Sequence, residues 1–160
     1  MTVRPLVLAL LAAFLAAAAA GCGGSGAPSP EDYAQAVVLN RDRVDFALAR
    51  ITRAQSVDEL LARMDEAAVV IHKSAGDLED EGAPDQYQPE AGNLVKQLRQ
   101  LSVDIQAPAD QARQPGFEGL ITDPQLQGLS FDSWTKMNKA LAGLAGKGVQ
   151  VTIIQPKASS

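Results

Sequence analysis

The 160-residue chain contains one cysteine, one histidine and one tryptophan, and aromatic residues make up only 4 % of it. Each scarcity removes a class of chemistry. A lone cysteine has no internal partner for a disulfide. A lone histidine, His72, excludes a two-histidine metal site within one chain and leaves any serine nucleophile with a single candidate base. One Trp, two Tyr and four Phe are too few for the stacking platforms that hold sugars or single-stranded nucleic acid. Basic residues are the minority, 14 against 19 acids, for a net charge of −5. That field argues against nucleic acid or anionic head groups as partners of the whole surface. Proline is missing from Glu31 to Ala83, which leaves room for long uninterrupted helices.

The longest uncharged apolar run is "LVLALLAAFLAAAAA", Leu6 to Ala20, after a short basic start, "MTVRP". It is shorter than the roughly 20 residues a spanning helix needs, and no basic cluster follows it. A basic start, an apolar stretch and then small residues make an export signal. The sole cysteine, Cys22, stands where cleavage is expected. The residues "AAGC", Ala19 to Cys22, resemble the lipobox of bacterial lipoproteins, with Ala19 where that family usually has Leu. The resemblance implies a diacylglyceryl group on the Cys22 sulfur, fatty acyl chains of the palmitate kind, and cleavage just before Cys22. Each buried methylene contributes about 0.8 kcal/mol, so a two-chain anchor holds where one chain would not. The alternative is an ordinary secretory signal that leaves Cys22 as a stray thiol. The lipobox reading divides the chain into a signal peptide (1–21), a Gly- and Pro-containing tether (22–30), a helical domain (31–155) and a disordered tail (156–160). It places the domain at the extracytoplasmic face of a bacterial cell membrane.

The domain reads as all-α: an antiparallel four-helix bundle with a long crossover over 108–129 and an extended C-terminal tail. The first helix opens with Ser29 as N-cap, Pro30 in the first turn and acids behind it. Tyr33, Val37, Val44, Ala47, Leu48 and Ile51 form its inward stripe. The second opens with a capping box, Ser56 and Glu59. Val57, Leu60, Leu61, Met64, Ala67, Ala68, Ile71, Ala75 and Leu78 form its stripe. A tight turn between the two predicts a helical hairpin. The third helix is expected from about Pro84 to Gln106, with Tyr87, Ala91, Leu94, Val95, Leu98, Leu101 and Ile105 inward. The fourth is expected from an N-cap at Ser130 to near Gly146, burying Phe131, Trp134, Met137, Leu141 and Leu144. The tail alternates Val149, Val151 and Ile153 like a strand, and without a ladder partner it would lie extended in a groove.

Few constellations carry chemistry. His72 falls at the edge of the second stripe and reads as a half-packed boundary residue. Asp77, Glu79, Glu81 and Gly82 fit the offsets of a calcium loop, but Gln88 stands where the bidentate acid belongs and Pro84 interrupts. The glycines of "GLAGKGVQ" end a helix, where the dipole repels phosphate, and so read as a helix stop. No metal and no cofactor are expected. Asn40 and Asn138 lie near core stripes as register-setting polar groups. Leu39, Arg43, Phe46 and Arg50 recur at i, i+4, i+7 and i+11, opposite the first helix's core stripe. Arginine alternating with large apolar groups suits a partner-binding face. The simpler reading lays the arginine stems over Phe46. Off-stripe Leu39, Phe46, Val69 and Val70 predict that the crossover or the tail covers one of these patches. The expected function is a non-enzymatic envelope protein-interaction module. The alternative is a carrier of a small molecule or lipid, using a cavity between the helices and the crossover.

Overall fold

The computed structural model describes residues 28–116 and 131–155. The signal peptide, Cys22, most of the tether, most of the crossover and residues 156–160 lie outside the described residues. Among the described residues the regular structure is helical, with four α-helices and no strand. They are α1 (Pro30–Ile51), α2 (Val57–Glu81), α3 (Glu90–Ala112) and α4 (Asp132–Gly146). None of them is long and apolar enough to cross a membrane.

The ends of α1 and α2 are fixed by local chemistry. The Ser29 hydroxyl accepts from the Asp32 N–H at 3.1 Å, and Pro30 fills the first position, where an N–H would have no helical partner. The Ser56 hydroxyl accepts from the Glu59 N–H at 3.2 Å. The returning half of the box differs from the expected form. The Glu59 carboxylate reaches the N–H of Gln55 at 2.7 Å, one residue before the cap. That backbone bond, aided by Arg63, holds the Glu59 carboxyl below its usual range. At the far end of α2, Gly82 leaves the helix at φ +72°, a conformation that strains any residue with a Cβ.

The third helix is shifted along the sequence at both ends. Pro84 introduces a single 3₁₀ turn, Asp85–Tyr87, and α3 proper begins at Glu90. It then continues through Pro108 to Ala112, so the expected crossover start at 108 is wrong. A proline inside a helix costs about 3 kcal/mol in a lost bond and a clash. Tertiary contacts hold the turns beyond it. Ala109 is fully buried. Gln106 donates to Asp65 of α2 at 2.8 Å, and the Arg113 guanidinium just past the helix end grips both oxygens of the same carboxylate. In α4 the cap is Phe131, whose side chain makes no capping bond, in place of the expected Ser130.

Helix α1 packs on α2, α2 on α3, and α3 on α4. The predicted stripes are mostly buried, with Val37, Val44, Ile71, Leu101, Ile105, Met137 and Leu144 wholly shielded. Val57, expected on the α2 stripe, is exposed at the helix start, and His72 is exposed instead of half-packed.

The tail completes the core. The Gly148 N–H bonds to the Ala145 carbonyl and the Val149 N–H to that of Leu144, with Gly148 at φ +96°. This glycine-dependent helix stop turns the chain back along the bundle. Residues 149–154 form no strand. Val149, Val151 and Ile154 are buried while Ile153 is exposed, so the strict alternation breaks at the last step. Ile154 meets Val37 and Val44 of α1, Leu94 and Leu98 of α3, and Met137 and Leu141 of α4 around a void of about 10 Å³. A space of that size holds about one water at most.

Candidate functional site

The predicted face is divided by the structure. Arg43, Phe46 and Arg50 line a groove of about 360 Å³ between α1 and α2. Leu39 lies outside it, in a separate depression shared with Ala34, Gln35 and Asp42 of α1 and with Gly148 and Gln150 of the tail. Phe46 is 66 % exposed and Leu39 52 %, so neither patch is closed over by residues 149–155. The spacing that put all four on one stripe is correct for α1 alone. The arrival of α2 on one side and the tail on the other assigns them to different surfaces.

Within the groove, Phe46 and the half-buried Val70 supply apolar surface above Ala47 and Ala67. The arginine heads are each paired with an acid while staying half-exposed. Arg43 pairs with Asp77 at 3.1 Å and Arg50 with Glu66 at 2.7 Å, both acids on α2. Lys73 shares Asp77 at 2.7 Å, and Arg63 pairs with Glu59 while donating to the Arg50 carbonyl at 2.6 Å. Four cations and two acids therefore line the groove, against the acidic balance of the chain. Such half-exposed pairs contribute only about 0–1 kcal/mol each. Their main effect is to hold long side chains upright around Phe46.

The α2 side of this groove had no counterpart in the sequence reading. Glu59 and Arg63 are legible as a helix pair, but Glu66, Lys73 and Asp77 gain their meaning only when α1 is beside them. A second omission had a signal. Arg41 follows Val37 by four residues and precedes Val44 by three, so a cation sits on a core stripe. It donates to the carbonyls of Thr152 and Ile153, both at 3.1 Å, and so fixes the tail to α1. Asn138 fixes the tail to α4, donating to the Ile154 carbonyl at 2.8 Å and accepting from its N–H at 2.9 Å. The expected register role of Asn138 is thus exercised on the tail. Asn40 is buried, donates to the Ala36 carbonyl and accepts from Arg43, linking the core to the groove rim.

His72 is exposed and lines none of these surfaces. The acids of the rejected calcium loop are used singly: Asp77 by Arg43 and Lys73, Glu79 by Arg99 of α3. Among the described residues no group of three or more acids, histidines or cysteines is placed to hold a metal ion.

A third surface lies between α2 and α3. It is a cleft of about 610 Å³ walled by Leu78, Ala83, Ala91 and Val95, with Lys96 and Arg99 among its lining residues. Tyr33 of α1 is also among its lining residues. The Tyr33 ring stacks on Tyr87, with centroids 5.6 Å apart and planes at 27°. The Tyr87 hydroxyl donates to the Pro30 carbonyl at 3.3 Å, whereas the buried Tyr33 hydroxyl has no hydrogen-bond partner among the described residues. Burial pushes the Tyr33 phenol up to about 12.

No protein-family model, no curated protein and no solved structure matches this chain.

Proposed function

We propose that this protein is a lipid-anchored, extracytoplasmic interaction module without enzymatic activity, and that it docks an acidic amphipathic helix of another envelope protein in the α1–α2 groove. The observation that carries the reading is Phe46, two-thirds exposed, standing between Arg43 and Arg50 in a groove lined by four cations and two acids. Large aromatics flanked by arginine are the side chains that dominate binding energy at protein interfaces. An apolar floor with a cationic rim favours a helix whose own apolar stripe is edged by Asp and Glu. The void around Ile154, about 10 Å³, leaves no room for a ligand at that place in the core.

The arrangement behind it is an antiparallel four-helix bundle. Several cross-links run in opposite sequence order and support this: Arg50 with Glu66 and Arg43 with Asp77, then Arg99 with Glu79 and Arg113 with Asp65. Ser133 with Asp104 and Lys147 with Glu90 extend the pattern to α4. The anchor is Cys22, on the strength of the lipobox, at the outer face of the membrane.

The test uses the full chain in its host envelope, with a photoreactive phenylalanine at position 46 and, as control, at Lys139 on the exposed face of α4. Position 46 should give one dominant adduct that Arg43→Glu with Arg50→Glu abolishes, and Lys139 should not give it. The same adducts at both positions, or an adduct indifferent to charge reversal, would refute docking. In the same strain Cys22→Ala should move the protein from the membrane fraction to the soluble one. Retention in the membrane would remove the anchor.

A further inference from the structure

The outward face of α1 has two unlike edges. Leu39 and Phe46 stand two turns apart along its middle, about 10 Å along the axis and within about 20° of one line. Both are more than half exposed. On the α2 side of that line, Arg43 and Lys73 share one acid, Asp77, so two cations meet one carboxylate. On the tail side, Arg41 is shared by Asp42 and Asp45, so one cation meets two carboxylates. Asp42 and Arg43 are both exposed and, as sequence neighbours about 100° apart around the helix, stand at nearly the same height on opposite edges. The face is therefore apolar along its middle, positive in excess along one edge and negative in excess along the other.

We infer that this face pairs with the same face of a second copy of the chain, in a parallel two-fold dimer of α1 helices. A two-fold axis running along the helices sets the α2-side edge of each copy against the tail-side edge of the other, so every contact occurs twice. Arg43 meets Asp42 of the second copy, and Asp42 meets its Arg43. Leu39 and Phe46 lie beside the axis, each against its own counterpart. Antiparallel pairing fails on charge. Its axis crosses the helices and sets like edges together, Arg43 near Arg43 and Asp42 near Asp42, which costs free energy. Parallel pairing also points both amino-terminal ends of α1 the same way, as suits two chains tethered to one membrane through Cys22. That agreement rests on the anchor reading, whereas the charge argument does not. A single pair of helices makes a small interface, below about 1,200 Å² in all, which suits reversible association. Because Phe46 serves both, a second copy and the acidic helix proposed above exclude one another. On the docking reading, the dimer is the resting form that a partner displaces.

The test uses the purified full-length chain in density-matched detergent, with no other protein present. Sedimentation equilibrium should show monomer and dimer exchanging in the micromolar range. Asp42→Arg and Arg43→Asp should each weaken self-association by about 10-fold or more, since each makes the two edges alike in charge. Mixed in equal amounts, the two variants should associate with each other at least as well as the parent does with itself. Both should melt close to the parent, because both side chains are exposed. If Arg43→Asp melts lower beside Asp77, Asp42→Arg and the following label still decide. A photoreactive phenylalanine at position 46 should label the second copy within one turn of its own position 46. A monomer at every concentration, no recovery in the mixture, or a label at Leu39 would each overturn the inference. None of these results bears on docking, since no docking partner is present. In the host envelope the mass of the adduct at position 46 separates the two occupants: twice the chain for the dimer, another mass for a docked protein.

Discussion

The carboxamide of Asn138 and the backbone of Ile154 form a reciprocal pair: the amide donates to the carbonyl at 2.8 Å and its oxygen accepts from the N–H at 2.9 Å. One side chain on α4 thereby does for a single tail residue what a neighbouring strand would do in a sheet. With Arg41 acting from α1 on the Thr152 and Ile153 carbonyls, it pairs backbone groups of an extended segment that enters the core without a neighbouring strand.

Asn138→Leu keeps the size of the side chain and removes both bonds. It is expected to destabilise the protein by about 2–3 kcal/mol, the cost of leaving a buried N–H and C=O unpaired. Urea unfolding measures the loss, and hydrogen exchange at the Ile154 amide should rise by far more than at α2 amides. Uniform exchange across both would mean the tail is not separately held.

Acid should weaken the fold in a definite window. Three carboxylates are held below their ordinary values: Glu59 by the Gln55 N–H and Arg63, Glu90 by Lys147, and Asp65 by Arg113 and Gln106 against an opposing effect of burial. A depressed folded value means the unfolded chain binds protons first as pH falls. Stability should therefore be flat from neutral pH down to about 5. It should then fall as pH drops through the ordinary carboxylate range near 4 and below. Asp65→Asn should shallow that fall in urea titrations run at successive pH values. Stability that increased on acidification would contradict these placements.

Helices α3 and α4 approach closely at Gly143, where a Cβ would stand 2.6 Å from the Cγ of Glu90. Glu90 is held there by Lys147, which also donates to the Gln88 carbonyl at 2.6 Å. Gly143→Ala should lower stability by about 1–2 kcal/mol, the clash outweighing the better helix propensity of alanine. In a Glu90→Ala background the obstacle is gone, and the same substitution should stabilise by up to about 1 kcal/mol. A double-mutant cycle by thermal unfolding reads the change of sign.

Phe46→Asp separates docking from stability. The ring is largely in solvent, so the melting temperature should change by no more than about 0.5 kcal/mol would produce, while partner capture at that face is lost. A large thermal loss would show that Phe46 contributes to the core.

Periodicity and capping were legible because they are local. Ser29, Pro30 and Ser56 set helix starts through bonds spanning three residues, and the inward stripes follow from 3.6 residues per turn. The all-helical character, the identity of most core residues and the helix stop near Gly146 were all within reach of the sequence. Local rules also produced the errors. Pro108 reads as a terminator because a proline removes a helical bond, and only the grip of Arg113 and Gln106 on Asp65, more than forty residues away, explains why the helix continues. Val57 fits the α2 stripe by spacing, yet at the first turn of the helix no neighbour covers it.

What the sequence alone determined is where helices form and which faces turn inward, because hydrogen bonds between near neighbours and the burial of periodic apolar side chains need no knowledge of the rest of the chain. What the tertiary structure decided is which surfaces those helices build together. Arg43, Phe46 and Arg50 became a groove because α2 brings Glu66 and Asp77 opposite them. Leu39 was separated from them by the path of the tail, and Tyr33 of α1 was stacked on Tyr87 in the turn before α3. These relationships join residues distant in sequence, and they exist only once packing has chosen which faces meet.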